Sequence, residues 1–180
     1  MKIVYIIAVI FAVLFTSLLK AQTNSVTSKA RAEITSLISL SDNSGLPGGS
    51  TLNFGTIAKS EGVGTVTIST LNARTTSGAV NAMSASATST ASFLVNGGMG
   101  RTYAITLPST NVDVTRTGGT ETMSITDFKA RPQSIGGDQV TGTLDTQGAD
   151  SFTVGATLNV GANQAEGVYE GSFNVVVNYN

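Results

Sequence analysis

A strict alternation of side chains at the C-terminus constrains the fold of this chain more than any other feature. The chain ends GVYEGSFNVVVNYN. One face of this stretch collects Tyr169, Gly171, Phe173, Val175, Val177 and Tyr179. The other face collects Glu170, Ser172, Asn174, Val176, Asn178 and Asn180. A period of two is the signature of a β-strand with one dry face and one mostly wet face. We therefore expect a half-buried last strand, and its free edge needs a partner.

The same period recurs upstream. In SFTVGATLNV one face collects Phe152, Val154, Ala156, Leu158 and Val160. The loop GANQAEG joins this run to the terminal strand, so the two are predicted to form an antiparallel pair. SFLVNGG and TYAITLP predict a hairpin that turns within residues 96–100. VDVTRTGGTETMSITDF predicts another that turns at Gly118 and Gly119, with Met123 and Ile125 facing inward.

Two further runs complete the pattern. TLNFGTI places Leu52, Phe54 and Ile57 inward, and VGTVTIST supplies a strand with Val66 and Ile68 on one face. Residues 74–92, rich in Ser, Thr and Ala, form either a long loop or a thin pair of strands, because Thr favours a strand whereas Ser, Ala and Gly do not. No segment shows a helical stripe. The expected class is all-β, with an antiparallel β-sandwich as the architecture.

The N-terminus has the anatomy of a secretory signal. Lys2 precedes the apolar run from Ile3 to Phe15, and Ala21 is a small residue suited to cleavage. The competing interpretation is an uncleaved membrane anchor. We predict a signal peptide at 1–21, a flexible extension at 22–31 and a β-sandwich domain at 32–180. The expected location is secreted, extracellular or at the cell surface, reached through the periplasm, with membrane contact only during export.

The amino-acid composition argues against most kinds of catalytic, metal-binding and nucleic-acid-binding site. The chain has no Cys, no His and no Trp, and its net charge is −1. Without His and Cys, the usual catalytic triads and zinc sites are excluded. No basic cluster is present to bind nucleic acid. We therefore predict no enzyme activity, no catalytic residues and no cofactor.

The acidic residues do not select a site by their spacing. Asp138, Asp145 and Asp150 lie among glycines, but their spacing does not match an EF-hand loop, so ordinary turns are expected and no metal. A hydrolase would need a pair of carboxylates in one pocket, and no pair stands out in the sequence.

The segments TLNFGTI, YAITLP and TLNVGANQAEGVYEGSFNVVVNYN resemble a bacterial secreted family, domain of unknown function 4402. That family is similar in turn to spore coat protein U and to archaic chaperone–usher pilins. The resemblance covers roughly residues 30–180. It rests most on the C-terminal motif, where Tyr179 is penultimate and Gly167 is fourteenth from the end.

This resemblance implies an immunoglobulin-like, pilin-like sandwich completed by a donor strand. A periplasmic chaperone would lend that strand, and the N-terminal extension of a neighbouring subunit would later replace it, through main-chain pairing of the β-augmentation type. The implied donor lies within residues 22–32, where only Val26 and small Ala side chains are apolar. The implied partner-strand groove comprises Gly167, Tyr169, Phe173, Val175, Val177 and Tyr179.

The expected function is therefore an exported structural subunit of a surface fibre, pilus or coat, which associates with itself or with a chaperone and usher. The alternative is a self-contained secreted or cell-surface β-sandwich that serves as an adhesion or binding module. An open apolar groove beside the terminal strand favours the first function, and a filled sheet edge favours the second.

Overall fold

The computed structural model describes residues 31–180 except 33, 35, 44 and 46–48. Every strand lies in the unit Thr35–Asn180. Of the unit Met1–Ile34, only Arg31, Ala32 and Ile34 are described, and all three are exposed to solvent. The predicted signal peptide and nearly all of the predicted extension lie outside the described residues.

The prediction of an all-β antiparallel sandwich is confirmed. The described residues form thirteen strands and no helix. The strands are β1 Ser39–Asp42, β2 Ile57–Ala58, β3 Gly64–Ile68, β4 Arg74–Gly78, β5 Asn81–Ala82, β6 Ala91–Asn96, β7 Thr102–Thr106, β8 Val112–Arg116, β9 Thr122–Pro132, β10 Thr141–Thr143, β11 Ala149–Val160, β12 Tyr169–Glu170 and β13 Val176–Tyr179. The part of the chain that the structure describes therefore holds no apolar helix of bilayer-spanning length.

Strand β11 is the centre of the large sheet. The strand order is β1-β6-β11-β9-β8-β12, and β3 also pairs with β11 and carries β4 at its other edge. Along one edge of β11, β6 pairs with the first half and β3 with the second, while β9 follows the opposite edge. The inward residues predicted for this strand, Phe152, Val154, Ala156, Leu158 and Val160, are all buried, as predicted.

A second, smaller sheet has the order β10-β7-β13, and β2 pairs with β5 as a separate ribbon. The core has two clusters. The first is built around Ile68, Ile125 and Leu158, and the second around Tyr103 and Phe152. Leu52 and Phe128 pack against both clusters, so the core is continuous between them.

One predicted hairpin is confirmed and another is wrong. Strands β8 and β9 do pair across the turn that holds Gly118 and Gly119. Strands β6 and β7 do not pair with each other. β6 lies between β1 and β11, and β7 lies between β10 and β13. Since both edges of β6 are already occupied, the connection through residues 97–101 leads to the smaller sheet instead.

The predicted antiparallel pair between β11 and the terminal strand is also wrong. Both edges of β11 are occupied, so the loop after Val160 carries the chain to the far edge of the large sheet, where β12 pairs with β8. Local alternation of side chains shows burial, but it does not identify the neighbouring strand.

The undecided stretch 74–92 is partly strand. β4 pairs with β3, and β5 pairs with β2. The Arg74 guanidinium ties this stretch to the segment before it by donating to the Phe54 carbonyl at 3.3 Å. It also donates to the Met83 carbonyl at 2.6 Å, within the stretch itself.

The C-terminal segment crosses from one sheet to the other. β12 belongs to the large sheet and β13 to the small one, so residues 171–175 lie between two ladders. The chain from β7 to β8 crosses in the opposite direction beside it, and it contains Pro108, which has no N–H to continue a ladder. The predicted alternation of burial holds from Phe173 to Tyr179 but not at Gly171, which is exposed, and the segment forms two short strands rather than one.

Candidate partner-strand groove

A groove of about 1060 Å³ opens at one side of the sandwich. Residues 50–60 form one wall and residues 164–173 form the other. Its floor consists of core side chains from β8, β9 and β11: Val114, Met123, Ile125, Leu158 and Val160. The groove therefore exposes the top of the first core cluster between two segments of backbone.

The side chains of the floor are mostly buried. The exposed fractions are 8% for Val114, 6% for Ile125, 4% for Leu158 and 8% for Val160, and only Met123 is half-buried. A strand laid in the groove would therefore cover a floor that is already largely buried, with Met123 as its most exposed side chain.

From residue 53 to residue 58, the backbone pairing of the first wall with other described residues lies along one edge. Asn53 and Ser89 exchange two backbone hydrogen bonds of 2.9 and 3.1 Å, and the Met83 N–H donates to the Thr56 carbonyl at 3.0 Å. Because backbone groups alternate in direction along a strand, the N–H and C=O of Ile57 point away from β5. This second edge borders the groove.

The second wall is also paired along one edge. The Thr117 N–H donates to the Val168 carbonyl at 2.8 Å, and Tyr169 lies opposite Arg116. By the same alternation, the backbone N–H and C=O of Tyr169 point away from β8. Among the described residues no strand pairs with this edge. The wall thus offers main-chain donors and acceptors beside an apolar floor.

The Tyr169 side chain fixes the loop before this wall. Its hydroxyl donates to the Ala165 carbonyl at 2.8 Å and accepts from Gln164 Nε2 at 2.8 Å. The same Gln164 nitrogen donates to the Thr122 carbonyl at 3.2 Å. A tyrosine that bonds back to the backbone a few residues upstream matches the tyrosine corner of immunoglobulin-type sandwiches. The wall is therefore held by the domain itself.

Gly167 allows Arg116 to approach the second wall closely. Its φ is +150°, and a Cβ at this position would lie 2.8 Å from Cγ and Cδ of Arg116. The Arg116 guanidinium in turn bonds to Glu121, with 2.7 Å between Nε and Oε2. This hydrogen bond is the main cause that lowers the pKa of Glu121 to about 2. Gly167 thus lets the chain pass over a charged pair.

One end of the groove is closed by contacts between its walls. The Asn163 N–H donates to the Ser60 carbonyl at 3.0 Å. Nearby, Lys59 Nζ and Glu166 Oε1 are 3.9 Å apart, and both side chains are more than half exposed. Such an exposed ion pair stabilises little. The backbone hydrogen bond therefore marks the end of the groove more firmly than the charges do.

The structure divides the six residues predicted for the groove. Gly167, Tyr169 and Phe173 line it. Val175, Val177 and Tyr179 do not, and pack in the second core cluster instead. The Tyr179 hydroxyl accepts the Gly98 N–H at 2.6 Å, and the Arg101 guanidinium carbon lies 4.6 Å from its ring centre. Tyr179 therefore anchors the C-terminal strand inside its own domain.

Sequence reasoning missed the first wall and the floor as parts of this site. It predicted that Leu52, Phe54, Ile57, Met123 and the β11 residues face inward, which the structure confirms. Alternation gives the face on which a side chain lies, but it carries no signal that a partner is missing above that face.

Three of the acidic residues accept hydrogen bonds from groups of the domain itself. The Asp145 carboxylate accepts the N–H groups of Gln147 and Ala149 at 2.8 and 2.9 Å, and these hydrogen bonds lower its pKa. Asp138 accepts the Thr70 hydroxyl at 2.6 Å. Asp150 accepts the hydroxyl of the fully buried Tyr103 at 2.9 Å, and burial together with this hydrogen bond raises the pKa of Tyr103. Within the described ranges, no three metal-binding side chains gather.

Comparison with known proteins assigns the chain to a family. A family model described as a domain of unknown function, DUF4402, matches residues 46–179. The chain belongs to the DUF4402 family. The match includes nearly the whole sandwich, both groove walls and the floor, so the groove lies within the DUF4402 domain. No curated protein and no solved structure matches this DUF4402 chain.

Proposed function

We propose that this protein is an exported structural subunit of a surface fibre, pilus or coat, and that it assembles by accepting a strand from another chain into the groove. The observation that carries the proposal is the combination of an apolar floor with a backbone edge, at Tyr169, that no described strand covers. Main-chain pairing along such an edge supplies affinity, and alternate side chains set the register.

The position of the groove supports this function. In immunoglobulin-type sandwiches the tyrosine corner lies at the start of a strand that has a neighbour on each side. Here the corner residue Tyr169 begins β12, which pairs with β8 on one side, and the described residues provide no neighbour on the groove side. The vacancy thus coincides with the position of a strand in the complete fold, which favours an immunoglobulin-like sandwich that a donor completes.

An uncovered edge also carries a hazard that fits this function. Exposed edge strands are templates for pairing with other chains, and soluble proteins usually protect them with charges, bulges or covering loops. Charged side chains border this edge at Lys59, Glu166 and Glu170, but no described strand or loop covers it and the floor beside it is apolar. A periplasmic chaperone that lends a temporary strand would cover the edge until another subunit arrives.

Filling the groove with a bulky side chain should stop assembly. Met123 lies on the floor and is half-buried, so Met123→Trp would place an indole where the incoming strand must lie. Thr122 is the neighbouring residue on β9 and is exposed. Because successive side chains point to opposite faces of a sheet, Thr122→Trp is a matched control. We expect Met123→Trp to remain monomeric and Thr122→Trp to assemble like the parent chain.

The measurement is sedimentation of the chain from Gln22 to Asn180, together with SDS-resistant ladders on gels without boiling. Deletion of residues 22–29 should also leave monomers, because it removes the expected donor. Ladders that persist both in Met123→Trp and in the deletion would contradict strand addition. A parent chain that stays monomeric at every concentration, alone and with its chaperone, would favour the self-contained adhesion module instead.

A further inference from the structure

We propose that β4 is a second assembly surface, at which two copies of this chain pair edge to edge about a two-fold axis. The proposal goes beyond the groove and does not require it, because no residue of β4 lines the groove. Three features of β4 support it: an unpaired backbone edge, the absence of charge along that edge, and a sequence that is complementary to itself.

The backbone of β4 is paired along one edge. In the part of the chain that the structure describes, β3 is its single partner, and the register between the two strands is regular. At one end of this ladder the Ser69 N–H donates to the Ala73 carbonyl at 2.9 Å. At the other end the Ala79 N–H donates to the Val63 carbonyl at 3.0 Å. Thr76 lies an odd number of residues from Ala73 and Ala79, so its N–H and C=O point to the open edge.

No charged side chain protects this edge. Residues 75–100 contain no charged residue. Arg74 precedes them, and its guanidinium is turned back into its own domain, where it donates to the Met83 carbonyl at 2.6 Å. Proteins usually protect an exposed edge strand with Lys, Pro or a bulge, and residues 75–78 have none of these. The edge is therefore open to pairing with another strand.

The sequence of β4 is complementary to itself about Thr76. A two-fold axis through this position sets Thr76 opposite Thr76 of the second copy, and Thr75 opposite Ser77 on each side. The two Thr76 residues exchange a pair of backbone hydrogen bonds there, because both backbone groups of each point across the open edge. Every cross-strand contact near the axis thus joins hydroxyl-bearing side chains, a pairing that stabilises antiparallel strands.

The domain already contains this kind of side-chain pairing. On the outer face of the large sheet, Thr75 lies opposite Thr67 on β3, and Thr67 lies opposite Thr157 on β11. The hydroxyls of Thr67 and Thr157 are 2.9 Å apart and share a hydrogen bond. Pairing of Thr75 with Ser77 of a second copy would continue this row of hydroxyls into the second molecule. A second copy therefore fits the edge, since it brings the same side chains at the same spacing.

Two exposed apolar side chains lie beside the ends of β4. Leu71 is 70% exposed and lies in the turn before β4. Val63 is 67% exposed and bonds through its carbonyl to Ala79, just after β4. Because the paired copies run antiparallel, the Leu71 end of one copy lies next to the Val63 end of the other. Contact between these ends would remove apolar surface from water.

Sedimentation of the chain from Gln22 to Asn180 with Met123→Trp tests the proposal, because this variant has its groove filled. A contact through one short strand belongs to the small, weak class of interface, so we expect a dissociation constant between about 1 µM and 1 mM. The variant should be monomeric below this range and dimeric towards its upper end. Its dimer should dissociate in SDS, unlike the ladders formed through the groove. A variant that stays monomeric up to about 1 mM would overturn the proposal.

Thr76→Pro in the same background removes the N–H that lies at the two-fold axis. Proline is tolerated where the N–H of an edge strand faces solvent, so the ladder with β3 should be kept, which circular dichroism checks. Thr76→Val keeps the N–H and the branched shape and is the matched control. We expect proline to weaken dimerisation at least tenfold and valine to change it by less than about threefold. Equal dimerisation of the two variants would contradict pairing at this edge.

A charge swap at the same position tests the two-fold axis without relying on proline. Thr76→Lys or Thr76→Glu sets like charges opposite each other, and each variant alone should dimerise at least tenfold more weakly. An equimolar mixture of the two should recover dimerisation to within about threefold of the Thr76 chain, because opposite charges then meet across the strands. Absence of recovery, or undiminished dimerisation of the lysine variant, would overturn the proposal while ladders through the groove stand. Loss of ladders in the parent chain, with this dimer intact, would instead count against the proposed function alone.

Discussion

Replacing Phe152 by alanine is expected to lower the free energy of unfolding by about 3–5 kcal/mol. Phe152 is 1% exposed and lies near the middle of the large sheet, opposite Phe93 on β6 and Pro132 on β9. Its ring stacks on Phe93 with 5.1 Å between the centroids. Phe93 lines the groove, so loss of Phe152 should also loosen that end of it.

Urea unfolding followed by circular dichroism measures this effect, and the denaturant slope should stay constant if only stability changes. Phe152→Leu is the control, because it keeps most of the buried volume and should cost less than half as much. A loss below about 1 kcal/mol for Phe152→Ala would mean that the second core cluster is not packed around this ring.

Adding a single methyl group at Gly155 is also expected to lower the stability of the domain strongly. Gly155 lies at the irregularity of β11, where the register with β9 shifts before Thr157. A Cβ at this position would collide with the Ile68 carbonyl and lie 2.7 Å from the backbone carbon of Ser69. Backbone atoms cannot rotate away as a flexible side chain can. We expect Gly155→Ala to destabilise the domain by about 1–3 kcal/mol.

Gly137 provides the matched control for this substitution. No heavy atom lies within 4 Å of its ideal Cβ, and its φ is not in the left-handed region. Gly137→Ala should therefore leave stability unchanged or raise it slightly, by restricting the unfolded chain. Thermal unfolding of the two alanine variants side by side measures the difference. Equal stability in both would contradict the close approach of the β3–β4 turn to β11.

Burial could be predicted from this sequence because it follows a local period. The inward faces of β3, β9 and β11 are the predicted ones, and the alternation of burial runs from Phe173 to Tyr179, with Gly171 as an exposed exception. Side chains two residues apart share a face of any strand, whichever strand lies beside it. Local sequence therefore determined the fold class and most of the core.

Pairing could not be predicted in the same way, because it depends on which edges remain open after the rest of the chain has folded. The sequence predicts that β6 is half of a hairpin, but in the structure β1 and β11 pair with its two edges. The sequence predicts that the run ending at Val160 pairs with the last strand, but in the structure β3 and β9 lie on either side of this run. These competing partners lie far away in sequence.

The groove, too, could be predicted only in part from the sequence. Tyr169 and Phe173 were predicted to face a partner strand, and they line the groove. Tyr179 has the same parity, but the Gly98 N–H and the Arg101 side chain hold it within its own domain. Parity places all three side chains on one face, and only the path of the chain between the two sheets separates them. The wall formed by residues 50–60 could not be recognised without that path.

Amide hydrogen exchange at Tyr169 and Ile57 tests most directly whether the groove takes up a strand. It is measured by NMR on the chain lacking residues 22–29, before and after addition of a peptide with the sequence of residues 22–33. Both amides point away from their ladder partners towards the groove, whereas the Ile105 amide bonds to Val140 within the smaller sheet and is the reference. Strand addition predicts that exchange at Tyr169 and Ile57 slows at least tenfold with peptide while Ile105 is unchanged. Exchange at Tyr169 and Ile57 that is already slow without peptide, and unaltered by it, would contradict the account.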